Sequence, residues 1–397
     1  MRLSWKYPFI IFPKVSDCLV CSFKIILNLG VLFTSECPHR DKNVLKPRMW
    51  SPTWRLYYYA LLCSPVFFSW INNFYIWNYA FYESDGFIQE MFGFLTQSWT
   101  LILTLSMLTN RHLCVKYFGG IVELLSKRKR YGIPTLLTAR DVERHQYSLL
   151  FILILSNVIG IVTVASRLAD DGFGYVNLTQ SMSYYLNIIN GAAASMHTVS
   201  ALGVYEQIFH KLLRLMEKTL ETRKNCTNPA FADKLRSYQN YYSSCVINYQ
   251  NHVLIYTTKL FLAWHFTYVI ICQVFLFLYV SILVIHWDLE LKRGATTGVI
   301  QSFYVVCASF YVVKRANNIY NINDDFLTYL HKYPISRLTK KESYLVEALI
   351  NNLTNYKPNL VCGDILQMHR RSVPSIISHA ITYSLVALQF NLLKYFY

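Results

Sequence analysis

The chain carries seven long runs of apolar residues separated by polar stretches. These runs cover residues 56–78, 87–108, 148–167, 182–204, 260–285, 295–313 and 373–393. A helix needs about 20 mostly apolar residues to cross a hydrocarbon core about 30 Å thick. The pattern therefore predicts an all-α integral membrane protein with seven transmembrane helices. A shorter apolar stretch near residues 18–34 contains Lys24 and Asn28, and we interpret it as an interfacial or cytosolic helix.

Two of the polar stretches have the periodicity of helices rather than of loops. Residues 205–258 alternate apolar and charged positions at helical spacing, with a break near Asn228-Pro229. Residues 316–356 do the same, with apolar positions that include Leu345, Leu349 and Leu353. We predict that these helices continue the spans into the cytosol as a packed base. The alternative is that they are solvated amphipathic helices lying on the inner leaflet.

The last apolar run, residues 373–393, has no Asp, Glu, Lys or Arg but is not apolar all round. At 100° per residue, its polar side chains share an arc of roughly 100° with Val386 and Leu393. These polar residues are Ser375, Ser378, His379, Thr382 and Gln389. A polar stripe is costly in lipid unless it faces protein or water. The stripe is therefore predicted to look inward, towards a pore, a cavity or a partner helix.

Composition and charge place the chain in a membrane with its N-terminus in the cytosol. Apolar residues make up 54 % and charged residues only 15 %, against about 25 % charged in soluble domains. Residues 1–55, 109–147, 205–259 and 314–371 hold nine, eight, eight and nine of the 38 Lys and Arg residues. With these four segments inside, the positive-inside rule predicts a multi-pass plasma-membrane protein. The net charge of +16 then suits anionic inner-leaflet lipid rather than nucleic acid.

One motif in the last helix is familiar. Thr382-Tyr383, five further residues and then Gln389-Phe390 resemble the final transmembrane helix of the insect gustatory receptors, although Ser384 departs from the apolar spacer. The length, the seven spans, the short outer loops and the cytosolic N-terminus agree with this family.

The resemblance implies a fold and an activity. It implies a tetrameric ligand-gated cation channel related to insect odorant receptors, in which the last helix of each subunit lines a central pore. The tetramer would be a homomer or a heteromer with other gustatory receptor subunits, and a tastant would bind in the outer half of the preceding spans. The expected pore-lining residues are Ser375, Ser378, Thr382, Val386, Gln389 and Phe390.

This organisation divides the chain into four parts. They are a cytosolic N-terminal segment (1–55), helices one to six with an outer ligand pocket (56–313), cytosolic anchor helices (314–372), and the pore helix with a short extracellular tail (373–397).

The outer halves of the spans offer aromatic walls with a few amide and hydroxyl groups, which suit small polar or alkaloid-like ligands. The candidate ligand-binding residues are Gln97, Trp99, Thr163, Tyr184, Tyr185, Asn187, Thr297, Gln301 and Tyr304. Ordinary packing of aromatic side chains inside a helix bundle is the alternative explanation.

Three glycosylation sequons begin at Asn177, Asn225 and Asn352. In the predicted topology only Asn177 lies outside the cell and can carry a glycan.

Catalytic motifs are missing from the sequence. It contains no HExxH, nucleophile elbow or P-loop, so we expect no enzyme activity, no cofactor and no metal site. The sequence thus predicts a tastant-gated, non-selective cation channel subunit of chemosensory neurons, for bitter or other small molecules. An odorant-receptor-type channel is one alternative. A seven-span transporter or G-protein-coupled receptor is another, although a coupled receptor requires an extracellular N-terminus.

Overall fold

The computed structural model of the chain describes the following residues: 34–36, 46–48, 64–72, 74–75, 98, 101, 120–121, 123–138, 141, 154–166, 168–169, 172–225, 230–254, 289–359, 361–362, 366–367, 374–375, 378, 381–382, 385 and 389. The predicted span 260–285 and most of span 87–108 lie outside these residues, as does nearly all of the N-terminal segment 1–55.

Four helices with described ends organise the fold. They are α1 (Tyr175–Asn225), α2 (Phe231–Asn248), α3 (Leu289–His331) and α4 (Lys340–Asn355). A π-helical turn, Tyr249–Leu254, continues directly from α2. Two short 3-10 turns are formed by Arg128–Tyr131 and Ile335–Arg337. Residues 64–72, 123–127 and 154–166 are also helical, so the described part is mostly helical, as predicted.

Four short strands form two antiparallel ribbons that the apolar pattern did not predict. Strand β1 (Thr34–Glu36) pairs with β2 (Lys46–Arg48), and β3 (Val361–Cys362) pairs with β4 (Leu366–Gln367). Both ribbons lie outside the predicted spans.

The two longest helices continue well beyond a bilayer thickness. Helix α1 has 51 residues, about 76 Å at 1.5 Å per residue, and α3 has 43 residues, about 64 Å. The predicted spans 182–204 and 295–313 therefore run without a break into the polar segments that follow them, as expected. Among the described residues, none of the helices combines the length with the mean hydropathy that a membrane crossing demands.

Three helical segments within the predicted spans have the opposite burial pattern from a soluble protein, with polar side chains buried and apolar side chains exposed. In residues 154–166, Ser156 is fully buried and Thr163 is buried, whereas Ile161 and Val162 are 58 % and 61 % exposed. The same inversion occurs in residues 64–72, where Ser69 is buried and the Phe67 and Phe68 side chains are exposed, and near Ser181 and Ser183 in α1. Water does not favour such a surface, but hydrocarbon requires it, because polar groups there must be satisfied by protein.

The C-terminal parts of α1 and α3 pack with α2 and α4 in a second unit, which we call the helical base. It consists of residues 120–121, 123–137, 199–225, 230–249 and 311–359, and it has a conventional apolar core. The largest fully buried side chains are aromatic: Tyr205, Tyr241, Tyr242, Tyr249, Phe209 and Phe231. Leu345, Leu349 and Leu353 are buried on one face of α4, as their spacing predicted. This core favours a packed base over separate helices lying on a leaflet.

Two buried tyrosine hydroxyls in the base, those of Tyr242 and Tyr205, are hydrogen-bonded across helices. The Tyr242 hydroxyl donates to Asn323 Oδ1 at 2.5 Å, and Asn323 Nδ2 donates to the Leu353 carbonyl at 3.4 Å. Burial raises the pKa of Tyr242, so the hydroxyl remains a protonated donor. The Tyr205 hydroxyl donates to Asn248 Oδ1 in the same manner. These bonds fix the rotation of α2 against α1, α3 and α4, because an unpaired buried hydroxyl is costly.

A bidentate ion pair links two helices of the base. Arg223 Nε and Nη2 donate to Glu342 Oε1 and Oε2 at 2.8 and 2.9 Å, which ties the end of α1 to the start of α4. The same carboxylate accepts the Thr339 backbone N–H at 2.9 Å and completes a capping box. The hydrogen bonds from Arg223 hold the pKa of Glu342 at about 2.

We predict that Glu342→Gln destabilises the helical base, because it leaves the Arg223 guanidinium without its counter-charge and removes the acceptor of the capping box. The thiol of Cys245 is fully buried in the core of the base, so it reacts with a reagent only when the base unfolds. In detergent-purified protein at neutral pH, a maleimide should label Cys245 faster than in the wild type, as followed by peptide mass spectrometry.

Glu347→Gln is the matched control, since Glu347 lies on the same helix with an exposed side chain. Equal labelling of the two variants would remove the ion pair from the stability of the base. The pKa of the Glu342 carboxyl falls from 4.5 to about 2 on folding, so the contribution of Glu342 to stability is complete above pH 4.5. The difference in thermal stability between wild type and variant should therefore shrink as the pH falls from 4.5 towards 2.

Candidate functional site

The terminal helix presents a polar stripe that its own chain does not cover. Ser375, Ser378, Thr382 and Gln389 are all helical and exposed. Their spacing of three, four and seven residues places them on one side of the helix. Thr382 Oγ1 donates to the Ser378 carbonyl at 2.9 Å, so this hydroxyl is satisfied within the helix. The other predicted pore residues, Val386 and Phe390, lie outside the described residues.

The edge of the stripe is apolar. Ile381 and Leu385 are 42 % and 45 % exposed and lie beside the polar positions. Hydroxyl and amide groups can accept and donate hydrogen bonds to water without adding a fixed charge. Such a face can line an uncharged aqueous path or pack against another polar helix.

Two of the predicted ligand-binding residues, Thr163 and Tyr185, lie on helical segments that touch. The Tyr185 hydroxyl donates to Asn157 Oδ1 at 2.9 Å. Its ring covers Gly160 so closely that a Cβ atom there would be 2.8 Å from Tyr185 Cδ2. Thr163 is buried one turn further along, on the same face as Gly160. The structure thus brings Tyr185 of α1 against the polar face of residues 156–163.

The remaining candidates cannot be placed in this contact. Tyr184 and Asn187 lie in α1, and Thr297, Gln301 and Tyr304 lie in α3, but their side chains are outside the described residues, as are Gln97 and Trp99. Trp70 Nε1 donates to Ser98 Oγ at 2.8 Å, which brings the first span to the position between Gln97 and Trp99.

Asn157 and Gly160 were not among the residues predicted from the sequence. A signal was available, because Ser156, Gly160 and Thr163 repeat at four and three residues, the small-residue spacing that allows membrane helices to approach closely. Trp70 was missed as well, since its role depends on a contact 28 residues away.

The two sequons with described side chains differ in their surroundings. Asn177 lies partly exposed near the start of α1, where its Nδ2 donates to the Gly172 carbonyl at 3.4 Å. Asn352 Nδ2, the atom that would carry a glycan, instead donates to Ser243 Oγ at 2.8 Å between α4 and α2. The side chain of Asn225 lies outside the described residues.

A charged cluster joins α1 to α3 at the top of the helical base. Arg315 Nη1 lies 2.5 Å from Glu206 Oε2, and Asn318 Nδ2 donates to Glu206 Oε1 at 2.9 Å. Arg315 Nη2 also donates to the Tyr311 hydroxyl at 2.9 Å.

Among the described residues, no three His, Cys, Asp or Glu side chains are grouped as metal ligands would be.

The sequence matches the family model of the 7tm chemosensory receptors over residues 23–394, nearly the whole chain. The chain therefore belongs to the 7tm chemosensory receptor family, which is a family of membrane receptors and not of enzymes. No curated protein matches its sequence significantly.

The fold is that of a solved insect chemoreceptor. The structure of the insect olfactory receptor OR5 from Machilis hrabei superposes with a TM-score of 0.68 at 11 % identity, covering 94 % of this chain and 97 % of that one. The structure of the same receptor in complex with eugenol gives a TM-score of 0.68 at 11 % identity, with 94 % and 100 % coverage. The predicted membership of a chemosensory receptor family and the predicted seven-span fold class are thus confirmed.

We predict that Gly160→Ala disrupts the contact between residues 154–166 and α1. The new Cβ would overlap the Tyr185 ring, which cannot swing away freely because its hydroxyl is bonded to Asn157. Overpacking of this kind costs about 1–3 kcal/mol. The expected result is a lower midpoint of thermal unfolding in detergent, with partial recovery in Gly160→Ala/Tyr185→Leu.

Gly174→Ala serves as the control, because the nearest atom to its added Cβ is Asn177 Nδ2 at 3.5 Å, an ordinary contact. A Gly160→Ala protein as stable as the Gly174→Ala protein would show that the ring and the helix are not in tight contact.

Proposed function

We propose that the chain is a gustatory receptor subunit that acts as a tastant-gated, non-selective cation channel in the plasma membrane of chemosensory neurons. The observation that carries the proposal is the exposed stripe of Ser375, Ser378, Thr382 and Gln389 on the terminal helix of a chemosensory receptor. In hydrocarbon such a stripe would be unfavourable, so it faces water, a second protein surface or both.

Four subunits, identical or mixed, would place four such stripes around one aqueous path. Hydroxyl and amide groups without carboxylates give little discrimination between cations. The bulky neighbours Val386 and Phe390 would close this path by excluding water. The ligand opens it only through contacts that are better in the open arrangement.

The position of Tyr185 beside Asn157 and Gly160, with Thr163 buried one turn further along, supports a ligand site in the outer half of the bundle. These residues supply an aromatic ring, an amide and a hydroxyl, the groups that a pocket for a small polar molecule uses. We propose that the other candidate residues complete this pocket, namely Gln97, Trp99, Tyr184, Asn187, Thr297, Gln301 and Tyr304. The solved complex of OR5 with eugenol supports a small organic ligand.

An odorant-receptor-type channel is the second candidate, and the structural similarity to OR5 favours it. The motif Thr382-Tyr383 with Gln389-Phe390 is the reason to prefer taste. Both candidates share the conduction path, so the same recording tests both, and the ligand panel separates them. A transporter or a G-protein-coupled receptor would instead respond to ligand without a receptor current.

We predict that Gln389→Glu shifts the reversal potential towards stronger cation selectivity, because four added carboxylates would attract cations into the path. Gln389→Ala should lower the conductance severalfold, since it removes amides that replace water around the ion. Both are measured by whole-cell recording with a tastant and odorant panel in a heterologous cell line.

Ile381→Ala, on the apolar edge of the same helix, should leave the reversal potential unchanged. Surface biotinylation confirms that each variant reaches the plasma membrane. Normal opening with unaltered permeation in both Gln389 variants would exclude this residue from the path.

We also propose that the N-terminus and the helical base lie in the cytosol, which leaves Asn177 as the one sequon of the three outside the cell. Removing N-glycans from protein made in insect cells should then increase its electrophoretic mobility. Asn177→Gln should abolish this change, whereas Asn352→Gln should not. A glycan on Asn352 would reverse the orientation, and it would also require the bond to Ser243 to break.

A further inference from the structure

The exposed face of α3 changes from apolar to polar along the helix. Cys307 and Phe310 are exposed, with Phe310 at 49 %. Lys314 follows one turn later on the same face, and beyond it the exposed residues of the helix are Asn321, Asp325, Thr328 and His331. The apolar and the polar positions therefore follow one another along one continuous helix.

The exposed face of α2 shows the same change in the opposite chain direction. Ile247 near its end is 55 % exposed. Asn240, two turns earlier on the same face, is exposed and polar, and so are Arg236 and Asp233 before it.

The two transitions lie at one level of the molecule. Ile247 is next to Asn248, whose Oδ1 accepts a hydrogen bond from the Tyr205 hydroxyl of α1. Tyr205 precedes Glu206, which pairs with Arg315 of α3, and Arg315 is adjacent to Lys314. A single chain of contacts therefore links the transition on α2 to the transition on α3 through α1.

We infer that the lipid headgroups of the inner leaflet surround the helical base at the level of the Glu206–Arg315 pair. Phe310 and Ile247 contact acyl chains, and Asn240 lies in water. The Lys314 stem runs along apolar surface and its ammonium reaches the anionic headgroup phosphates. The inference rests on the membrane placement and orientation in the proposed function, but not on ion conduction.

The partner is lipid rather than a second protein for two reasons. The exposed apolar positions are found on different helices at one height, as a surrounding layer requires. The same pattern is found in residues 154–166, where Ile161 and Val162 are exposed while Ser156 and Thr163 are buried.

This placement moves one membrane boundary by several turns. The apolar pattern assigned residues 205–259 to the cytosol and started the fifth span at residue 260. With Ile247 against acyl chains, the chain enters the bilayer before the end of α2, and the π-helical turn Tyr249–Leu254 that follows lies within the bilayer.

Photo-crosslinking in the full-length protein tests the inference. The photoreactive amino acid p-azidophenylalanine replaces Ile247 or Phe310, and the receptor is reconstituted in vesicles of phosphatidylcholine and phosphatidylserine. The matched controls carry it at Asn240, on the same face of α2, and at Tyr344, an exposed aromatic residue of α4. After irradiation, mass spectrometry should find lipid adducts severalfold more abundant at positions 247 and 310 than at 240 and 344.

Equal lipid adducts at 240 and 247, or adducts to a second copy of the chain in place of lipid at 247 and 310, would overturn the inference. If the Ile247 variant does not fold, the pair of 310 and 344 decides, because both replace one aromatic ring by another. Lipid adducts in a receptor that passes no current would leave this boundary intact while the proposed channel fails.

Discussion

Hydrocarbon offers no hydrogen bonds, and this constraint explains how the helices are arranged. In residues 154–166 it buries Ser156 and Thr163, packs Gly160 against Tyr185 of α1 and leaves aliphatic side chains outside. The C-terminal part of α1 lies in the helical base, where the core is rich in leucine and tyrosine and the exposed face of α1 is charged. The Glu206–Arg315 pair lies where one rule gives way to the other. One continuous helix therefore serves two media, which a soluble bundle never needs to do.

The architecture followed from local periodicity. The apolar runs and the helical spacing behind them predicted that spans 182–204 and 295–313 continue as helices, and α1 and α3 do so. The break near Asn228-Pro229 falls between α1 and α2, and Leu345, Leu349 and Leu353 are buried together. These features depend on neighbours within a few turns, which a sequence displays directly. The polar stripe on the terminal helix was visible for the same reason.

The contacts that fix the helices against one another were not predictable in this way. Arg223 and Glu342 are separated by 119 residues, and Arg315 and Glu206 by 109, so no spacing rule joins them. The closeness of Tyr185 to Gly160 depends on how two helices approach, and the small-residue repeat of Ser156, Gly160 and Thr163 indicates such an approach without naming the partner. Most of the candidate ligand residues remain proposals for this reason.

The π-helical turn Tyr249–Leu254 changes how its own residues should be drawn on a helical wheel that begins in α2. A π turn holds about one residue more than an α turn, so the angular phase of the chain slips across it. A wheel drawn at a constant 100° per residue from α2 through Leu254 therefore assigns side chains of this turn to the wrong faces. Deleting a single residue from the turn would restore α-helical phase between α2 and Leu254.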